Sequence, residues 1–150
     1  MKIINLKANK EYLYEYVNYC LLEWGKDKVL EDPNLYVEQK IKKIIYFDDV
    51  ISVLGLIDQN KLIGFISLLK HDGNERKDLT PWYATMYVKA EYRNKGYSKI
   101  LNEAIIKEAK KIGYNRIYLK SNLINYYEKF GAIYMHDLEC GEKLYYIDCA

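Results

Sequence analysis

The 150-residue chain contains no apolar run near the roughly 20 residues that cross a bilayer. Its opening segment, Met1-Lys2-Ile3-Ile4-Asn5-Leu6-Lys7, lacks the apolar core and small-residue cleavage site of a secretion signal. A soluble, cytoplasmic protein without a membrane partner is expected. Cysteine is sparse and odd in number. Cys20, Cys140 and Cys149 show no CxxC or Cys/His ligand spacing, which argues against a disulfide framework and a zinc site; buried free thiols are expected. The two histidines, His71 and His136, stand alone, with no metal-pair, Cys/His or Ser/His/Asp spacing, and read as surface or packing residues. No charge dominates: 23 Lys and Arg oppose 21 acidic residues, for a net +2, so a nucleic-acid partner is not expected. GxxxxGK[ST] and GxGxxG are both missing, removing the NTPase and Rossmann readings.

Half of the residues are hydrophobic, enough for one sizeable core in a chain too short for two ordinary domains. A single domain over residues 1–150 is expected, with no internal repeat, low-complexity segment or linker. The 17 tyrosines accompany many Lys, Ile and Asn. That pattern fits a codon bias toward A and T, so abundance alone marks no tyrosine as functional.

Periodicity supplies the elements. Ile3 to Leu6 reads as a short strand. Leu13, Tyr16, Val17, Cys20, Leu21 and Trp24 follow at three-four spacing, the core face of a helix. Asp32-Pro33 offers an N-cap with proline at the first helical position, and Val37, Ile41, Ile44 and Ile45 continue a second stripe. Val50 to Ile57 and Leu62 to Leu69 are branched apolar runs around the polar turn Asp58-Gln59-Asn60-Lys61, a hairpin in which Gly55 and Gly64 mark close packing. His71 to Asp78 is a surface loop and Tyr83 to Lys89 a strand. Tyr97 to Ile112 is the strongest helix. Ile100, Leu101, Ala104, Ile105, Ala109 and Ile112 form its inner face, Glu103 and Lys107 pair outside, and Gly113 stops it. Arg116 to Leu119 is then a strand, Asn122 to Phe130 a short helix, and Ile133 to Leu138 with Lys143 to Ile147 an antiparallel pair. This order predicts an α/β fold on a mostly antiparallel sheet, with one strand-helix-strand crossover from Tyr83 to Leu119 that permits a parallel pair.

The loop Arg93-Asn94-Lys95-Gly96-Tyr97-Ser98 enters the strongest helix directly after a strand ending at Tyr87-Val88. Unpaired backbone N–H groups and a partial positive charge gather at such a helix start, where a phosphate fits. Gly96 permits close backbone approach, Ser98 keeps the first turn accessible, and Arg93 and Lys95 add formal charge. An ordinary strand-to-helix turn carrying two cations accounts for the loop about as well when it is taken alone.

The segment Tyr87-Val88-Lys89-Ala90-Glu91-Tyr92-Arg93-Asn94-Lys95-Gly96-Tyr97-Ser98 resembles the acetyl-CoA loop of the GNAT family of N-acetyltransferases, Arg/Gln-x-x-Gly-x-Gly/Ala after Val-x-Pro. Ala90 stands where proline is usual and Ser98 where Gly or Ala is usual; both are small. Asp78-Leu79-Thr80-Pro81-Trp82 resembles the segment leading into that family's central strand. Asn125-Tyr126-Tyr127-Glu128-Lys129-Phe130-Gly131-Ala132 resembles its Tyr-Glu-Lys-x-Gly-aromatic segment, with Ala132 replacing the aromatic. The likeness is specific from about Asp78 to Tyr134 and topological before that.

The resemblance implies a GNAT-like mixed sheet, helices on both faces, and two parallel strands, Tyr83 to Lys89 and Arg116 to Leu119, splayed to admit the pantetheine arm of acetyl-CoA. It implies a cofactor site of Tyr87, Val88, Arg93, Asn94, Lys95, Gly96, Tyr97, Ser98 and Asn122, with no metal. A backbone N–H near Val88 would polarise the thioester carbonyl. Tyr127 would protonate the leaving thiolate, a nearly balanced transfer for a phenol of ordinary pKa about 10, while Tyr126 would point to another face of its helix. No base stands out: Glu23, Asp72 and Asp78 could each act through a water. The run from Glu23 to Asp32 lies where this family builds part of its acceptor pocket. Its acidic residues suit a cationic amine, or else it is a charged loop facing solvent. The leading expectation is an enzyme acetylating a primary amine on a small molecule, with a homodimer allowed. A protein or peptide acetyltransferase and a non-catalytic acyl-CoA sensor remain the alternatives.

Overall fold

The computed structural model describes residues 1–25 and 31–149. Its elements run β1 (Lys2–Asn5), α1 (Lys10–Trp24), α2 (Pro33–Tyr46), β2 (Val50–Asp58), β3 (Lys61–Leu69), β4 (Trp82–Val88), α3 (Tyr97–Ile112), β5 (Arg116–Ser121), β6 (Ile133–Asp137) and β7 (Lys143–Asp148). The expected order holds with one correction. In place of a helix over Asn122 to Phe130 there is a single 3-10 turn, Tyr127–Phe130. Asn125 at φ +60° and Gly131 at φ +92° bracket it with left-handed backbone, which an α-helical ladder cannot continue through.

The seven strands form one sheet in the order β1-β2-β3-β4-β5-β7-β6. All neighbours are antiparallel except β4 and β5, which are joined through α3. The β2–β3 hairpin closes through Gln59 and Asn60, both at positive φ, the geometry that matches the twist of the flanking strands. Side chains alternate along these two strands between two cores. On one face, Val53, Ile57, Leu62 and Phe65 pack against Leu13, Tyr16 and Val17 of α1 and Val37, Ile41 and Ile44 of α2. On the other, Leu54, Leu56, Ile63, Ile66 and Leu68 pack against Leu101, Ile105 and Ala109 of α3. The close packing expected at two glycines is present. A Cβ on Gly55 would stand 2.6 Å from Leu6 Cδ2, and one on Gly64 would stand 2.8 Å from the Tyr87 carbonyl oxygen.

Helix starts and stops follow the sequence signals. The Asp32 carboxylate accepts the Leu35 N–H at 3.1 Å ahead of Pro33, and Gly113 takes the left-handed conformation that ends α3. Three residues expected to face the core do not: Trp24, Ile100 and Ile112 are 54%, 38% and 46% exposed. Each sits in the terminal turn of its helix, where the apolar stripe has less sheet beneath it. Glu103 pairs with Lys99 at 4.0 Å rather than with Lys107. Of the cysteines, Cys149 is buried and Cys20 partly so, whereas Cys140 is exposed. Among the described residues, no helix is long and apolar enough to cross a membrane.

Ile105 is fully buried at the centre of the α3 face. Ile105→Ala is expected to cost about 2–5 kcal/mol of folding stability, read from a shifted urea midpoint with an unchanged slope.

Candidate active site

β4 and β5 meet at one paired position, Trp82 with Tyr118, where the Tyr118 N–H donates to the Pro81 carbonyl at 3.0 Å. A bulge in β4 begins just beyond. Ser67 of β3 pairs with Ala84 and Phe65 with Tyr87, so Thr85 and Met86 together face Ile66. Thr85 holds φ +51°, unusual for a β-branched residue. Its hydroxyl is hydrogen-bonded to that of Ser67, which itself donates to the Ala84 carbonyl at 2.9 Å, and the Tyr16 hydroxyl lies 3.4 Å away. Farther along, the Lys89 N–H is committed to the Ile63 carbonyl at 3.0 Å. Strand alternation therefore turns the Val88 N–H and C=O toward the side from which β5 has parted. The Val88 carbonyl there accepts from Arg93 Nε at 2.8 Å, which ties the following loop back to the strand.

That loop enters α3 through Asn94 at φ +63° and Gly96 at φ +82°. Gly96 occupies the N-cap position, and among the described residues no side chain caps the helix. The first-turn N–H groups of α3 thus remain available to an external acceptor. A Cβ on Gly96 would meet nothing within 4 Å, so the backbone here is bare as well as left-handed. The result is a cleft of about 480 Å³ lined by Tyr87, Val88, Arg93, Asn94, Gly96, Tyr97 and Ser98, together with Met86, Tyr92, Tyr126 and Lys129. Lys95, with Nζ 6.0 Å from the Tyr92 ring centroid, and Asn122, exposed just after β5, do not line it.

Met86 also walls a second cleft of about 440 Å³, whose other walls include Asp72, Tyr83, Thr85, Lys120, Tyr127 and Glu142. Tyr126 and Tyr127 open onto different clefts although no helix separates them; their rings meet edge to face at 4.8 Å. Tyr83 packs edge-on against Tyr127 at 5.8 Å, and its hydroxyl donates to Met86 Sδ at 3.1 Å. Burial, with Tyr126 alongside, pushes the Tyr127 phenol up to about 12. Burial raises Tyr83 as well. The Asp72 carboxyl lies above its ordinary value because it is desolvated, with Lys120 opposing the shift and Glu142 adding to it.

Of the three carboxylates open to selection as a base, only Asp72 lines the cleft. Asp78 makes two 3.0 Å bonds to Arg76 at the surface, which hold it below the usual carboxylate range, and Glu23 is exposed. Residues 26–30 of the charged run lie outside the described residues. Among those described, no group of His, Cys, Asp and Glu is placed to hold a metal ion. Met86, Thr85 and Glu142 carry no motif, and no signal in the sequence marks them, because their place at the cleft comes from a bulge and from a strand paired out of sequence order.

The family model described as the acetyltransferase (GNAT) family matches residues 15–132. No curated protein matches the chain. Among solved structures it is similar to an aminoglycoside 6'-N-acetyltransferase complexed with coenzyme A, at 16% identity and TM-score 0.75, over 100% of this chain and 98% of that one. An aminoglycoside 6'-N-acetyltransferase from Enterococcus faecium matches at 16% identity and TM-score 0.71 with the same coverages. A protein from Salmonella typhimurium, solved with its cofactor acetyl-CoA, matches at 16% identity and TM-score 0.69, over 100% of this chain and 94% of that one.

The uncapped start of α3 is expected to bind inorganic pyrophosphate. Backbone amide signals of Tyr97, Ser98 and Lys99 should shift saturably on titration, and Gly96→Val should weaken the binding about tenfold or more, since valine fits neither the left-handed backbone nor the open approach.

Proposed function

Because this chain belongs to the acetyltransferase (GNAT) family, we propose that this acyltransferase moves an acetyl group from acetyl-CoA to a primary amine on a small molecule, within one ternary complex. The observation that carries the reading is the open edge of β4 at Val88. It stands between a cleft ending on the bare start of α3 and a cleft holding Tyr127 and Asp72, with Met86 common to both. Structural neighbours crystallised with coenzyme A or acetyl-CoA support the donor, and the aminoglycoside enzymes among them support a small-molecule acceptor.

Acetyl-CoA supplies the thioester. The first-turn N–H groups of α3, with the positive end of its dipole, hold the pyrophosphate, and Gly96 lets them approach it. The Val88 N–H polarises the carbonyl that the neutral amine attacks. A C–N bond forms and the C–S bond breaks; the nitrogen loses one proton and the sulfur gains one. Asp72 takes the first through a water, and Tyr127 gives the second.

Burial alters the balance of that second transfer. A phenol near 12 is a weaker acid than an exposed one and would donate uphill to a thiolate in water. The departing thiolate, however, forms in the same partly dry site, where desolvation raises its proton affinity too. The same shift keeps Tyr127 protonated across the whole working range.

The direct test is acceptor-dependent release of free CoA across a panel of polyamines, aminoglycosides, amino acids and peptides. Saturable acetyl-CoA binding without such release would instead identify a sensor domain. Tyr127→Phe is expected to lower kcat about a hundredfold while the acetyl-CoA Kd changes less than about twofold. With Tyr127 protonated up to about 12, wild-type kcat should not fall between about pH 8 and pH 10; a fall there would remove the phenol from the acid role. Asp72→Asn is expected to lower kcat/KM at least about tenfold and to abolish the wild-type loss of rate as pH falls through the raised carboxyl value.

A further inference from the structure

The second cleft does not end at Tyr127 and Asp72. Three of its walls, Trp24, Leu69 and Thr85, also bound a cavity of about 200 Å³ between α1 and α2. Val17, Leu21, Ile44 and Val50 make that cavity apolar. Its titratable groups on the inner side stay neutral: burial raises the Tyr16 phenol and pushes the Cys20 thiol up to about 12. Among the described residues, the one charged side chain lining it is Lys40, on the exposed side of α2. The second cleft has the opposite character: among the described residues, Asp72 and Glu142 stand against Lys120, one negative charge in excess.

We infer that the acceptor is an amphipathic primary amine, its nitrogen drawn to the carboxylates of Asp72 and Glu142 and an aromatic-sized apolar group seated between α1 and α2. The inference rests on the acetyl-transfer reading and adds the substrate class. Size agrees, since a dry apolar cavity of about 150 Å³ already holds a benzene ring. Charge agrees as well. The cleft beside Tyr127 attracts an ammonium ion, whereas Lys40 repels a second one from the apolar cavity. A polyamine or aminoglycoside placed there would exchange its many hydrogen bonds to water for the few polar groups of Tyr16, Cys20, Tyr36, Lys40 and Thr85. Thr85, at the bulge, borders both spaces together with Trp24 and Leu69, so the two adjoin along that edge.

The test uses the full chain, acetyl-CoA, and four amines: ethylamine, 2-phenylethylamine, 1,4-diaminobutane and an aminoglycoside. The expected result is a kcat/KM for 2-phenylethylamine at least about tenfold above that for ethylamine and above both polycations. Leu21→Trp, which fills the apolar cavity, should reduce the ratio of 2-phenylethylamine to ethylamine at least about fivefold. Poor folding would scale both rates alike and cannot mask a change in their ratio, so an unchanged ratio would overturn the inference. Equal rates for the two monoamines, or a preference for diaminobutane or the aminoglycoside, would also overturn it while leaving acetyl transfer standing. If no amine releases CoA, the acetyl-transfer reading fails, and tryptophan fluorescence decides the cavity by itself. Saturable change with 2-phenylethylamine that Leu21→Trp abolishes supports the apolar site, and no saturation removes it.

Discussion

Thr85 holds a left-handed backbone conformation inside a strand, and a β-branched residue does so only where its surroundings over-determine it. Here the surroundings are a buried hydroxyl cluster. Ser67, fully buried in β3, bonds both the Thr85 hydroxyl and the Ala84 carbonyl, and Tyr16 reaches the same point from α1. Such strain costs on the order of 1–3 kcal/mol, and satisfied buried hydrogen bonds of about 1 kcal/mol each can offset it. The bulge this arrangement fixes makes β4 part from β5 after one paired position. It therefore leaves the Val88 edge open, and it puts Met86 and Thr85 where three cavities meet.

The two sides of the parted strands differ in electrostatics, and the difference suits the two tasks proposed for them. On the α3 side the field comes from backbone: an uncapped helix start, a left-handed glycine and a loop tied to the strand by Arg93, all of which favour an anion. On the other side the groups are partly dry. Burial raises the proton affinity of Tyr83, Tyr127 and Asp72 together. A carboxyl raised in this way moves toward the range where it can accept a proton near neutrality, while the phenols stay protonated. In the proposed reaction one physical cause, desolvation beside a gap in the sheet, separates the base from the acid.

Solved structures at 16% identity share this architecture across nearly their whole length. Conservation of architecture at that distance is what layer packing predicts, since many apolar sets fill the same two cores. The acceptor is not carried by the architecture. On the proposed reading it depends on which side chains border the second cleft and the cavity between α1 and α2, and those come from α1, α2, β2, β3, β4, β5, the 3-10 turn before β6 and the segments after β3 and before β7.

Much of the molecule was legible in the amino-acid sequence because its signals are local. The stripe from Leu101 to Ala109, the Asp32-Pro33 cap, the turn at Gln59 and Asn60 and the glycine-bearing loop before α3 each report on neighbours a few residues away. The order of elements and the loop of the proposed donor site follow from these. Local pattern also misled where an element ended: Trp24, Ile100 and Ile112 continue their stripes into terminal turns, and residues 122–130 alternate polar and apolar as a helix would while Asn125 breaks the ladder. The bulge at Thr85, the pairing of β7 beside β5 and the meeting of Asp72, Lys120 and Glu142 belong to tertiary structure alone. They join residues dozens of positions apart, and no periodicity in a chain encodes which distant strand will lie next to another or how far burial will move a proton.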